Sequence, residues 1–163
     1  QGEIGEIEVR GPNVFRGYWR LPEQSASAFS ADGFFRTGDQ GRFDEDGYLF
    51  IVGRSKDMII SGGLNVYPKE IESELDELPN VVESAVFGVP HPDFGEAVMA
   101  AVIPRGEFDE AAVLAHLRAR LAGFKLPKRI VIVSDLPRNT MGKVQKSRLR
   151  DSYADAFIAN ARG

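Results

Sequence analysis

Gly53-Arg54-Ser55-Lys56-Asp57-Met58-Ile59-Ile60-Ser61-Gly62-Gly63-Leu64-Asn65-Val66-Tyr67, followed by Pro68, is the stretch that divides this chain. It opens on a glycine and a cluster of charges, runs through a short apolar segment and breaks on two adjacent glycines. A strand that leads into a glycine pair can bring backbone amides close to a ligand. The charges at Arg54, Lys56 and Asp57 stand where one kind of pattern stops and another begins. Three readings are open from these residues alone: a binding loop, a hinge, or a hairpin.

Downstream of the stretch, helical and strand periods alternate. Pro68 suits a first helical position, and Ile71, Leu75 and Leu78 recur at helical spacing with acids opposite them. Val81–Val89 and Ala97–Ile103 are β-branched, apolar strand candidates, separated by Pro90-His91-Pro92-Asp93, which predicts a rigid turn. Asp109–Ala122 predicts a helix. Asp109 caps it, Phe108 and Val113 sit at hydrophobic-staple positions, and Val113, Leu114, Leu117 and Leu121 form the stripe. Arg129–Val133 predicts a strand, Leu136–Gly142 a loop, and Lys146 to about Asn160 a last helix. The order from residue 54 is β, α, β, β, α, β, loop, α.

Upstream, the pattern is different. Residues 4–9 alternate apolar and acidic side chains, Leu21-Pro22-Glu23 can start a short helix, and Asp44–Gly47 marks a hairpin before Tyr48–Val52. These short antiparallel strands are too few to bury a core by themselves. The expected fold is α+β: a small domain with a mixed sheet and packed helices, preceded by short antiparallel strands that end a larger domain. The boundaries expected are 1–55 and 56–163. The opening Gln1-Gly2-Glu3-Ile4 reads as the interior of a longer chain.

Composition narrows the function classes. The chain has 163 residues, 43% hydrophobic and 27% charged, as ordinary globular domains do. It has no cysteine, which excludes disulfides, thiolate metal sites and cysteine nucleophiles, and fits a cytoplasmic protein. Only His91 and His116 are histidines, so no metal site is expected here. No apolar run is long enough for a membrane helix, and no secretory leader is visible. The net charge is -4, yet half of the 20 cations fall between Arg118 and Arg150, with Asp135 the one acid among them. A basic segment in an acidic chain fits an anionic ligand or a docking face, or a solvated cationic face. It lacks the aromatics interleaved with cations that single-stranded nucleic acid uses.

Four short motifs carry chemistry-bearing residues. In Thr37-Gly38-Asp39 the carboxylate can accept from a ribose diol, although a turn-capping Asp is the simpler reading of the tripeptide. In Gly53-Arg54-Ser55-Lys56-Asp57 the Arg54 fork suits phosphate or ribose oxygens, or an ion pair with Asp57. Ser61-Gly62-Gly63 is no Walker motif, and read alone it is a turn. In Pro137-Arg138-Asn139-Thr140-Met141-Gly142-Lys143 the lysine can reach developing charge in another domain's site, or be an ordinary surface lysine. His91 reads as a loop residue and His116 as exposed.

Taken in order, these motifs resemble those of the adenylate-forming acyl-CoA synthetases, the family of firefly luciferase and the adenylation domains of peptide synthetases. Gly17-Tyr18-Trp19, Gly33–Asp39, Gly53–Asp57, Ser61-Gly62-Gly63 with Tyr67–Glu72, and Pro137–Lys143 carry the resemblance over nearly the whole chain. Asn65–Glu72, Gly88–Glu96 and Leu136–Lys146 are most similar to the malonyl-CoA synthetase branch. The resemblance implies the end of a large N-terminal domain followed by a small mobile C-terminal domain. By similarity, Asp39 would bind the ribose hydroxyls of ATP and AMP, with Arg54 on the same nucleotide. Lys56 would be the hinge. Gly62 and Gly63 would line the pantetheine tunnel, and Phe94, Phe124 and Lys125 would contact the CoA nucleotide. Lys143 would bridge the substrate carboxylate and the α-phosphate.

The same resemblance implies ATP and CoA as co-substrates, and Mg2+ held by the N-terminal portion. The partners it implies are a small carboxylic acid, malonate or methylmalonate, that N-terminal domain, and a protein lysine acetyltransferase acting on Lys143. The family's phosphate-binding Ser/Thr/Gly-rich loop and acyl pocket are not among these residues, so this piece alone is expected to be inactive. Competing readings are a short-chain, medium-chain or aryl acyl-CoA synthetase of the same superfamily, and a non-catalytic anion-binding or interaction domain.

Overall fold

The computed structural model describes residues 2–158. The chain divides between Lys56 and Asp57 into two compact units. In the first, β1 (Gly5–Val9), β2 (Phe35–Phe43) and β3 (Leu49–Arg54) form an antiparallel sheet in that order, with a short helix α1 (Pro22–Ala28) between β1 and β2. The β2–β3 hairpin is closed by Asp44, whose Oδ1 accepts from the amides of Asp46 and Tyr48 at 3.0 and 2.8 Å. Gly41 is the one buried residue of this unit among those described. Three short strands expose too much of their surface to enclose a core.

The second unit holds the hydrophobic core. Its strands are β4 (Ile59–Ser61), β5 (Leu64–Val66), β6 (Val81–His91), β7 (Gly95–Pro104) and β8 (Arg129–Ile132), and its helices α2 (Pro68–Asp76), α3 (Glu110–Arg120) and α4 (Lys146–Ser152). The sheet order is β5-β4-β7-β6, with β8 parallel to β7. Antiparallel pairing from Val81↔Pro104 to His91↔Gly95 makes β6 and β7 one long ribbon, with β4 and β8 along the other edge of β7. Side chains alternate along a strand. Val86, Val98, Ala100 and Val102 therefore pack with Ile71 and Leu75 of α2 and Val113 and Leu117 of α3. Ala85, Phe87, Val89, Met99 and Ala101 face the other way, toward Leu136 and Leu149 of α4. With both faces covered, the central strands read as near-continuous apolar runs. This is the α+β architecture that the order of elements implied.

Three local expectations are corrected. The strand does not stop before Pro90: β6 continues to His91, with Pro90 opposite Glu96. Among the described residues no strand pairs with the other edge of β6, and a proline is tolerated where no ladder bond is needed. The last helix ends at Ser152 instead of running on; Tyr153 has φ -117 and ψ 16. From there single turns replace the helix, with Ala156 N donating to Tyr153 O and Ile158 N to Asp155 O. Tyr153 packs 5.9 Å from Phe87 and Phe157 5.2 Å from His91, so ring contacts to the core set the path. Asn160 lies outside the described residues. His116 is half-buried, not exposed, with Nε2 3.4 Å from Glu74 Oε2. Asp57 lies 3.5 Å from Arg150 on α4.

Candidate functional site

The first unit brings Asp39 and Arg54 together. They are cross-strand partners on β2 and β3, and Arg54 Nε lies 3.0 Å from Asp39 Oδ1. Thr37 fixes the approach to Asp39. Its hydroxyl donates to Ile7 O at 2.8 Å and accepts from Asp39 N at 3.1 Å. Asp39 keeps a second oxygen, and half of the Arg54 side chain is exposed. The pair thus presents acceptor oxygens beside a guanidinium, a combination suited to a sugar diol next to a phosphate. Lys56 is exposed in a single 3-10 turn, Ser55–Asp57.

In the second unit Gly62 and Gly63 form the two-residue turn between β4 and β5, with Ser61 opposite Leu64. Their φ values, +59 and +80, are both positive, which a type I′ hairpin requires and glycine meets without strain. Gly62 N donates to Phe94 O at 2.9 Å, and Ile60 N to Glu96 Oε2 at 2.8 Å. The turn is therefore locked to the tip of the β6–β7 ribbon. Phe94 is partly exposed there, with Lys128 Nζ 4.9 Å above its ring. Phe124 and Lys125 share the 3-10 turn Gly123–Lys125, where Lys125 pairs with Glu70 at 2.6 Å. Small backbone, exposed rings and two lysines near one sheet edge make a surface that an aromatic base with phosphates can occupy.

Lys143 sits elsewhere. Its loop turns on Asn139, whose Oδ1 accepts from Met141 N at 3.0 Å and Lys143 N at 2.9 Å. Asn139 N donates in turn to Lys143 O at 2.9 Å, and Gly142 takes φ +77. Arg138 bonds Gly142 O and pairs with Glu83 near the start of β6. The backbone of Lys143 is thus fixed while its side chain is exposed, and no carboxylate of the described residues pairs with its ammonium. Glu83 and His91 are eight residues apart on one strand, or about 26 Å. The Lys143 loop and the Gly62-Gly63 turn are therefore anchored at opposite ends of the ribbon.

Two contributors escaped sequence reading. Lys128 lies in the basic segment, but nothing in its neighbours tells which ring it covers. Asn139 was legible in principle, because Asn three residues before Gly is an Asx-turn signal. Among the described residues no cluster of His, Asp and Glu could hold a metal ion, and no helix is long and apolar enough to cross a membrane.

Residues 70–143 match the family model of the AMP-binding enzyme C-terminal domain. The chain is 48% identical to the indoleacetate–CoA ligase of Aromatoleum aromaticum over 155 residues, covering 94% of this chain and 30% of that protein. It is equally 48% identical to a feruloyl-CoA synthase of an Amycolatopsis species, covering 93% of this chain and 31% of that one. Among solved structures, ATP-bound MatB from Rhodopseudomonas palustris matches with 61% identity and a TM-score of 0.88, over 96% of this chain and 32% of that chain. The chain thus spans about 30% of the length of the curated relatives it matches. With this fold, these motifs and these relatives, the chain belongs to the AMP-binding enzyme superfamily and carries its C-terminal domain.

Proposed function

We propose that this chain is the C-terminal part of a cytoplasmic, ATP-dependent acyl-CoA synthetase that activates malonate or methylmalonate. The observation that carries the reading is the placement of Lys143, backbone-locked with an exposed side chain, at the far end of a rigid ribbon from the Gly62-Gly63 turn. Two half-reactions need two such elements in turn. In the first, a carboxylate oxygen attacks the α-phosphorus of ATP, a P–O bond forms, and pyrophosphate leaves. Two anions must meet, and the Lys143 ammonium between them lowers the barrier. In the second, the CoA sulfur attacks the acyl carbonyl, AMP leaves with the C–O electron pair, and the thiol proton goes to solvent.

Elements about 26 Å apart on one ribbon cannot serve one reaction centre in one orientation. A rotation about Lys56 exchanges them, a hinge motion of a rigid domain. Asp39 accepts from the ribose hydroxyls and Arg54 contacts the same nucleotide. Phe94, Phe124, Lys125 and Lys128 receive the CoA nucleotide beside the glycine turn. Mg2+ belongs with the triphosphate in the N-terminal portion. Acetylation of Lys143 by a protein lysine acetyltransferase removes the charge the first half-reaction uses.

Malonate is favoured by the resemblance of Asn65–Glu72, Gly88–Glu96 and Leu136–Lys146 to the malonyl-CoA synthetase branch. The relatives named for indoleacetate and ferulate support an aryl acid as the second reading. Acid-dependent pyrophosphate release by the full-length enzyme, measured across malonate, methylmalonate, acetate, indoleacetate and ferulate, decides between them. Release greatest with malonate or methylmalonate is expected; a preference for an aryl acid replaces the first reading with the second.

A further inference from the structure

The loop that carries Lys143 is closed on itself and held from two sides. Gln145 N donates to Pro137 O at 2.7 Å, and Arg138 and Val144 bridge across the stem. The incoming strand of the stem is tied to β6 through Arg138 and Glu83. The outgoing strand runs into α4. The first residue of that helix, Lys146, places its ammonium 2.6 Å from Glu72 Oε1. Glu72 lies on α2, and the same oxygen accepts from Val86 N in the middle of β6 at 2.8 Å. The side chains of Lys146 and Glu72 are only 16% and 10% exposed.

Drawing both charges out of water is costly, and a hydrophobic pair of similar volume serves stability as well or better. What the ion pair supplies is a fixed point, where α2, β6 and α4 meet, three residues from Lys143. We propose that Glu72 is a positioning residue for Lys143, acting through Lys146; the inference rests on the reading of Lys143 as the adenylation lysine. The Lys143 ammonium ends a long, exposed side chain, so its aim depends on where the backbone starts. The Glu83 anchor holds one side of the stem and leaves the other free to pivot. The Glu72 anchor removes that freedom. A displacement of about 1 Å at a charge-stabilising group costs about a hundredfold in rate. Glu72 touches no reacting atom, so its effect falls on the rate of the first half-reaction and not on substrate affinity.

The test uses the full-length enzyme. Glu72→Gln keeps an acceptor for Val86 N and removes the charge; Lys146→Met keeps the aliphatic stem and removes the other charge. Each is expected to slow single-turnover acyl-adenylate formation about a hundredfold, with KM for ATP and acid unchanged. Thioester formation from supplied acyl-adenylate stays at the wild-type rate, and Lys146→Arg restores most of the lost activity. Should a single variant fail to fold, the double variant, which leaves no lone buried charge, shows the same selective loss. Equal loss in both half-reactions, or no loss, overturns the proposal. Amide exchange supplies an arm that needs no turnover. Residues 137–145 should exchange faster in the variants while β6 and β7 keep wild-type protection, and unchanged exchange overturns the anchor. A wild-type enzyme that releases no pyrophosphate with any acid sinks the synthetase reading alone, because the exchange arm still decides whether Glu72 fixes the loop.

Discussion

Asp39 and Arg54 face each other across β2 and β3 with Oδ1 and Nε 3.0 Å apart. The pair holds the carboxylate in one orientation, with its second oxygen available. With Asp39 on the nucleotide as proposed, Asp39→Ala in the full-length enzyme removes a charge-assisted acceptor from that ligand and leaves Arg54 without its partner. Hydrogen bonds to charged groups contribute about 1.5–3 kcal/mol, so AMP affinity by calorimetry should fall about 10- to 100-fold. Arg54→Ala should weaken the same ligand. The double variant should lose less than the product of the two, since contacting residues couple. Strict additivity would mean that the pair does not act as one unit on the nucleotide.

The Gly62-Gly63 turn separates stability from function. Both residues sit at positive φ, where an L side chain costs about 1–2 kcal/mol. An added Cβ at Gly62 meets the Phe94 ring at an ordinary 3.6 Å, and one at Gly63 meets nothing within 4 Å. Gly63→Ala should thus lower stability by about 1 kcal/mol through the backbone alone, read from urea unfolding. Gly62→Asn creates the Asn-Gly dipeptide that type I′ turns prefer and should leave stability nearly unchanged. If pantetheine passes over this turn, Gly62→Asn still slows thioester formation while adenylation proceeds. Normal thioester formation in that variant removes the turn from the CoA path.

Helix capping offers a check on the fold alone. Asp109 Oδ1 accepts from Ala111 N at 2.9 Å and Ala112 N at 3.1 Å at the start of α3. Asp109→Ala should destabilise the domain by about 1 kcal/mol, seen as a lower urea midpoint with unchanged slope, while Asp109→Ser retains most of the stability. A midpoint unmoved by the alanine would show that packing of Val113 and Leu117 alone sets the helix.

What could be read from the sequence follows the range of the interactions. The Asp109 cap, the α2 and α3 stripes and the glycine turn are local, and each was visible within a few residues. The end of α4 was not. Leu149, Tyr153 and Phe157 keep helical spacing, but contacts of Tyr153 with Phe87 and of Phe157 with His91 outweigh that period. Pro90 reads as a stop only until β6 proves to be an edge strand. The ion pairs were invisible for the same reason. Glu72–Lys146, Glu83–Arg138 and Asp57–Arg150 join positions far apart in the chain, and any acid in the first half could have met any cation in the basic segment. For the candidate site, residue types and order were legible; the separation of Lys143 from Gly62 came only with the register of β6 and β7.

Lys143→Gln gives the sharpest outcome. The side chain is exposed, and only backbone atoms of residue 143 join the Asn139 network. The substitution should therefore leave the unfolding midpoint within about 0.5 kcal/mol of wild type. On the proposed reading it removes the cation placed where charge develops between carboxylate and α-phosphate. Loss of one such stabilising group costs about 10²–10³ in rate, so acid-dependent pyrophosphate release should drop by that factor with KM for ATP little changed. The same variant supplied with preformed acyl-adenylate should make thioester at the wild-type rate, because the proposed function assigns the second half-reaction to the opposite end of the ribbon. A parallel loss of both half-reactions would put Lys143 and Gly62 at one centre. That is incompatible with anchors about 26 Å apart on β6, and it would replace domain rotation with a single fixed arrangement.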